Sequence, residues 1–169
     1  MKKEKIQSII DTVKQQELDL RFDHFTNEDA YELGQHMVQK IKDDGIQMAV
    51  MIKKPNGNTL FSYFSEGTTL MNEKWMGRKF NTVKYNEKSS YLIWAFSEKA
   101  GRADDPVRDA KLAGFDLSEY AICGGGFPIK LKSGEFVGVI LASNLPHEQD
   151  HKFLVEGLTS FLEKKKNED

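Results

Sequence analysis

The chain has one cysteine, Cys123, which excludes an internal disulfide and any zinc site built from several thiolates of one chain. It has no long apolar run either: the longest are about six residues, against the roughly 20 that a membrane-crossing helix needs. It lacks a dominant charge as well, with 24 basic against 26 acidic residues and a net charge of -2, so no field draws it to nucleic acid or to an anionic membrane. The residues after Met1-Lys2-Lys3 contain no apolar stretch of the signal-peptide kind, and a cytoplasmic location is expected. What is present is the composition of one soluble domain: 169 residues, 39% apolar and 30% charged.

Helical spacing of Ile6, Ile9, Ile10 and Val13 predicts a peripheral amphipathic helix over residues 3–16. Thr26 or Asn27 is suited to cap a second helix, whose apolar face runs from Ala30 through Leu33, Met37, Val38 and Ile41 to Gly45. Residues 47–53 and 59–65, separated by Pro55-Asn56-Gly57-Asn58, form a predicted hairpin. Two helices with a break near Asn86 follow, the second opened by Ser89-Ser90, and then a long connection from Gly101 to Tyr120. Residues 127–131 and 136–143 give a second hairpin, with the later strand apolar enough to be central. Pro146 suits the first position of a closing helix whose apolar residues are Phe153, Leu154, Leu158, Phe161 and Leu162. The expected class is α+β, an antiparallel sheet of two hairpins packed with helices, covered mainly on one side and closed by a C-terminal helix. The expected divisions are a helical extension (1–17), one domain (18–163) and a frayed tail (164–169).

Four sets of residues could carry chemistry, and each has a structural alternative. His147-Glu148-Gln149-Asp150-His151 matches the His-Glu-x-x-His pattern of zinc hydrolases, in which both histidines hold the metal and the glutamate acts as base. The alternative is ordinary chemistry at a helix start, where Glu148 and Asp150 favour the positive end of the dipole. Gly124-Gly125-Gly126 lacks the dinucleotide fingerprint, and is either a tight turn or a nest of amide groups facing a carboxylate or propionate. Arg78, Lys79 and Asn81 could hold an anion, or simply form a solvated helix face. Cys123 is a possible reactive thiol or a small part-buried residue, and His24 and His36 are possible haem ligands or ordinary surface and core histidines.

Taken in order, several motifs form a pattern. They are Phe22-Asp23-His24-Phe25 with Asp29-Ala30; Trp75 with Arg78-Lys79-Phe80-Asn81-Thr82-Val83; Gly124 to Pro128; Val137-Gly138; and Leu145-Pro146 with Asp150-His151. The chain resembles the GlcG/HbpS-like, so-called haem-degrading domain family over residues 18–162, and within it the uncharacterised single-domain cytoplasmic branch. The resemblance implies a profilin-like fold, a homo-oligomer and, for some relatives, haem binding. Many members of that branch have histidine where this chain has Cys123 and Lys88, so two candidate iron ligands are replaced.

The expected function is therefore to bind a small anionic or flat ligand, with haem as the possible cofactor and a metal not expected. The expected binding residues are Arg78, Lys79, Asn81, Cys123, Gly124, Gly125, Gly126 and Phe127. The expected partners are a second copy of the chain and the ligand, not nucleic acid or membrane. The alternatives are a metal-dependent enzyme using His147 and His151, and a purely structural or adaptor oligomer.

Overall fold

The computed structural model describes residues 2–101, 111 and 113–168. Helix α1 (Lys3–Asp19) is followed by α2 (Asn27–Asp44), strands β1 (Ala49–Lys53) and β2 (Thr59–Phe64), then α3 (Leu70–Asn86) and α4 (Ser90–Lys99). Strands β3 (Gly126–Lys130) and β4 (Phe136–Ser143) and the closing helix α5 (His147–Glu168) complete the chain. The four strands form one antiparallel sheet in the order β2-β1-β4-β3. The α+β class, the two hairpins and the closing helix are as expected. Half of the predicted connection, residues 102–110 and 112, lies outside the described residues. Among the described residues, no helix is long and apolar enough to cross a membrane.

Local signals set the helix starts. Thr26 accepts the Asp29 amide at 3.1 Å while the Asp29 carboxylate accepts the Thr26 amide at 2.7 Å, a reciprocal capping box. Thr69 and Asn72 repeat the device on α3, and the Ser89 hydroxyl accepts the Leu92 amide at 3.1 Å on α4. Helix α3 ends at Glu87, whose φ of 51° is left-handed and stops the helix where the break is predicted.

The sheet is covered on both faces, which corrects the expectation of one. Val50, Ile52, Phe127, Ile129, Ile140 and Ala142 face a core shared with α2 and α5, while Ala49, Met51, Val139 and Leu141 meet Met76, Phe80 and Val83 of α3. The reason is visible in β1 and β4, which have consecutive apolar residues instead of an apolar-polar alternation, as strands buried on both sides must.

Three boundaries also move. Helix α1 runs on to Asp19 and packs on α4 through Ile6, Ile10, Val13, Leu92 and Ala95. Pro146 precedes α5, and its carbonyl accepts the amides of Gln149 and Asp150. Helix α5 continues to Glu168, through residues 164–168 of the segment expected to fray, and Lys165 there pairs with Glu32 of α2.

The candidate ligand cleft

Helix α3 presents two faces to two different tasks. On one, Arg78 Nη2 donates to the carbonyls of Leu117 (2.6 Å) and Tyr120 (3.3 Å), Asn81 Nδ2 donates to that of Glu119 (2.7 Å), and Thr82 Oγ1 donates to that of Ala121 (2.8 Å). These side chains pin the segment leading to Cys123 against the helix. Tyr85, which shares the face, packs edge-on against Phe115 and Tyr120. The basic helix face is thus built into the fold, and Arg78 still stacks over the Trp75 ring at 4.4 Å.

The other face carries Lys79, which is buried. Its Nζ donates to the Ala142 carbonyl at 2.9 Å and pairs with Asp150 at 3.0 Å, both side chains being 3% exposed. Asp150 also accepts the Leu145 amide at 2.9 Å, so one carboxylate joins α3, the loop after β4 and the first turn of α5. Burial pushes the Asp150 carboxyl up, and Lys79 pulls it back toward the charged form.

The three glycines wrap this ion pair. The Gly124 amide donates to His147 Nδ1 at 3.0 Å, the Gly126 amide donates to Ser90 Oγ at 2.9 Å, and the Gly125 carbonyl accepts the Ala142 amide at 2.8 Å. A Cβ on Gly125, whose φ is +120°, would lie 2.5 Å from Lys79 Nζ. Two of the three amides expected to form an anion nest therefore have partners within the protein. Phe127 is fully buried in the α2/α5 core.

His147 and His151 sit side by side on α5 without sharing a focus. His147 packs against the rings of Trp94 and Tyr91 at 4.8 and 5.6 Å, and its Nε2 is 3.6 Å from Glu148. His151 Nε2 meets Gln16 Oε1 of α1 at 2.8 Å, while its Nδ1 is buried with no partner in the described structure. Among the described residues, no three His, Cys, Asp or Glu side chains are grouped to hold a metal. His24 is exposed and pairs with Asp29 at 3.0 Å, and His36 contacts Ser160 Oγ at 2.7 Å, both in a part of the fold remote in contacts from Cys123.

Burial lowers the pKa of His151 from 6.5 to about 3. The folded ring stays neutral while an unfolded one takes a proton, so its contribution to stability is complete above pH 6.5 and is lost as pH falls toward 3. Each pH unit in that window costs about 1.4 kcal/mol. Urea unfolding near pH 7 and about pH 4.5 is expected to show a loss roughly 3 kcal/mol larger in the native protein than in His151→Phe. An equal loss in both would show that His151 is not held neutral.

What these elements leave open is a pair of adjoining cavities. One, about 290 Å³, is lined by Trp75, Arg78, Trp94, Glu98, Tyr120 and Cys123 among others. The next, about 320 Å³, is lined by Asn72, Trp75, Lys79, Cys123, Asn144 and His147 among others. Trp75 and Cys123 belong to both. Asn144 has a φ of 153°, unusual for a residue with a side chain, and is held by hydrogen bonds from Asn72 Nδ2 (3.2 Å) and to the Gln47 carbonyl (2.9 Å). Of the residues predicted to bind a ligand, Arg78, Lys79 and Cys123 line these cavities. The cleft adds Asn72, Trp75, Trp94 and Asn144, of which only Trp75 stands in a recognisable motif.

A family model described as haem degrading protein HbpS-like matches residues 25–159. The chain belongs to the HbpS-like family. Its relatives include UPF0303 proteins of Yersinia enterocolitica, 34% identical over 143 residues (85% of this chain, 82% of the relative), and of Yersinia pseudotuberculosis, 35% identical over 148 residues (88% and 82%). Among solved structures, the Ybr137w protein superposes with a TM-score of 0.82 at 25% identity, over 92% of this chain and 88% of that one. HbpS (TM-score 0.61, 22% identity, 82% and 90% covered) and the haem complex of PduOC (0.64, 15%, 80% and 93%) share the fold.

Haem is the group that HbpS-like membership brings to mind, and the two histidines nearest the cleft do not present a bare nitrogen to its iron. The cleft has aromatic faces for a flat ring. Its nitrogen donors are committed: His147 Nδ1 already accepts an amide, and His151 Nδ1 is buried. Cys123 and Met71 are the soft donors that line the cavities, and burial pushes the Cys123 thiol up, away from the thiolate that binds metals.

Proposed function

We propose that this protein binds a flat, carboxylate-bearing ligand of the tetrapyrrole kind in the cleft walled by Trp75 and Cys123, and that haem is the first ligand to test. The observation that carries this reading is that two cavities near the lower end of the roughly 300–1,000 Å³ of small-molecule sites share one tryptophan and one cysteine. Trp75, Trp94 and Tyr120 supply aromatic faces, and aromatic stacking favours planar, polarisable molecules. Arg78 supports a ligand with negative groups, since it forms no ion pair among the described residues and its only polar partners are carbonyls. Glu98 on the same wall limits how much anionic charge can sit there. The haem complex of the structural neighbour PduOC supports haem as a probe.

Addition of ferric haem to the purified protein is expected to quench tryptophan fluorescence and shift the Soret band. Trp75→Ala is expected to weaken binding about tenfold, equivalent to ~1.4 kcal/mol of lost stacking. Unchanged fluorescence with no Soret shift up to saturating haem would overturn the proposal.

A further inference from the structure

We infer that strand β2 is the face on which a second copy of this chain docks, the two strands pairing antiparallel about a two-fold axis at Tyr63 so that the two four-stranded sheets become one. The two edges of the sheet are built differently, and only one of them is closed. An open edge is a row of unpaired N–H and C=O groups, and native proteins cover or blunt it.

The β3 edge is protected. Pro128 has no N–H to offer, and the connection between α1 and α2 lies along the strand. There the Phe22 amide donates to the Lys130 carbonyl at 2.9 Å, and the Phe22 carbonyl accepts the Lys132 amide at 2.8 Å. The β2 edge has none of these devices, and β1 is its only neighbour in the sheet. The Ser65 amide donates to the Met48 carbonyl, which sets the phase of the ladder: Tyr63 and Phe61, opposite Val50 and Ile52, turn their backbone groups to β1. Ser62 and Phe64 therefore point theirs outward, where no hydrogen-bond partner stands among the described residues.

The sequence and surface of this edge fit a copy of the same strand. Residues 55–65 contain no charged residue, in a chain that is 30% charged. A two-fold axis sets each charge near its own image, so an uncharged edge meets its image without repulsion. Apolar side chains flank the strand on both faces of the sheet. Phe64, 39% exposed, lies on the side of α3, and Tyr31 of α2, 48% exposed, has its ring 6.3 Å from that of Phe61 on the other. The register shift beside Lys53 limits the regular ladder to Phe61–Ser65, whose middle is Tyr63. With the axis there, Ser62 of each copy faces Phe64 of the other, and each such pair exchanges both of its outward hydrogen bonds. Tyr63 then meets its own image in a cross-strand aromatic pair.

Analytical ultracentrifugation of the full chain tests this. The native protein is expected to sediment as an even-numbered assembly of 19.3 kDa chains. Ser62→Pro removes an outward amide and no hydrogen bond within the subunit, and Ser62→Lys/Phe64→Lys sets lysine opposite lysine. Each is expected to lower the mass at least twofold, with circular dichroism verifying the fold. Mixing Ser62→Lys/Phe64→Lys with Ser62→Glu/Phe64→Glu is expected to restore the native mass, a result that a misfolded variant does not give. A native protein that is monomeric or odd-numbered would overturn the inference. Folded variants that keep the native mass would do the same, as would a lysine–glutamate mixture that stays at the reduced mass.

Discussion

Replacing Lys79 with methionine is expected to lower the unfolding free energy by about 3–5 kcal/mol, the cost of leaving a buried charge without its partner. Methionine matches the length of the lysine stem, so the loss reports the charge and not a cavity. Asp150 would remain 2% exposed with its Leu145 amide but without the cation that offsets its desolvation. The double variant Lys79→Met/Asp150→Asn is expected to recover at least half of the loss, because the amide oxygen still accepts from Leu145 and no charge is stranded. Urea unfolding of the four proteins measures the coupling directly. If Lys79→Met unfolds within about 1 kcal/mol of the native protein, the pair is not the buried contact described here.

Gly125→Val is expected to cost about 4 kcal/mol, from two causes of similar size. The φ of +120° is unfavourable for a β-branched residue, by roughly 1–3 kcal/mol. The new Cβ would also lie 2.5 Å from Lys79 Nζ and 2.6 Å from the Ala142 carbonyl oxygen, and crowding of this kind costs another 1–3 kcal/mol or so. Lys79 cannot swing aside without breaking its pair with Asp150, and Ala142 lies in a central strand. Gly57, in the β1–β2 turn at φ +95°, has open space where its Cβ would be, so Gly57→Val carries the backbone cost alone. Thermal unfolding should rank Gly125→Val well below Gly57→Val; equal melting points would mean that the glycine turn is not packed on the ion pair. The substitution is therefore a probe of the fold, and tests of ligand binding are better made at Trp75.

Much of this architecture is legible in the residue order. Thr26, Asn27 and Gly45 bracket α2, Ser89 opens α4, and the turn at 55–58 joins β1 to β2, because caps and turns depend on side chains within a few residues of one another. The order of Gly124 to Pro128, Val137-Gly138 and Asp150-His151 marks the HbpS-like family that residues 25–159 match. The two-sided burial of the sheet was also present, in the unbroken apolar residues of β1 and β4, and was outweighed by the hairpin pattern, which is compatible with one covered face.

The site is a different matter. Arg78, Lys79 and Asn81 are neighbours on one helix, and their letters suggest one basic face. Three-dimensional packing divides them: Arg78 and Asn81 hold backbone carbonyls of 117–120, while Lys79 turns inward to Asp150, 71 residues away. His147 and His151 stand at metal-binding spacing, yet one answers to Gly124 and the other to Gln16 of the first helix. Periodicity and capping are local, so sequence alone determined the elements, their order and the family. Pairings across the fold depend on which faces meet, so only the tertiary structure decided that the glycine turn covers a buried ion pair, that the histidines are committed within the protein, and that Trp75 and Cys123 wall the cleft.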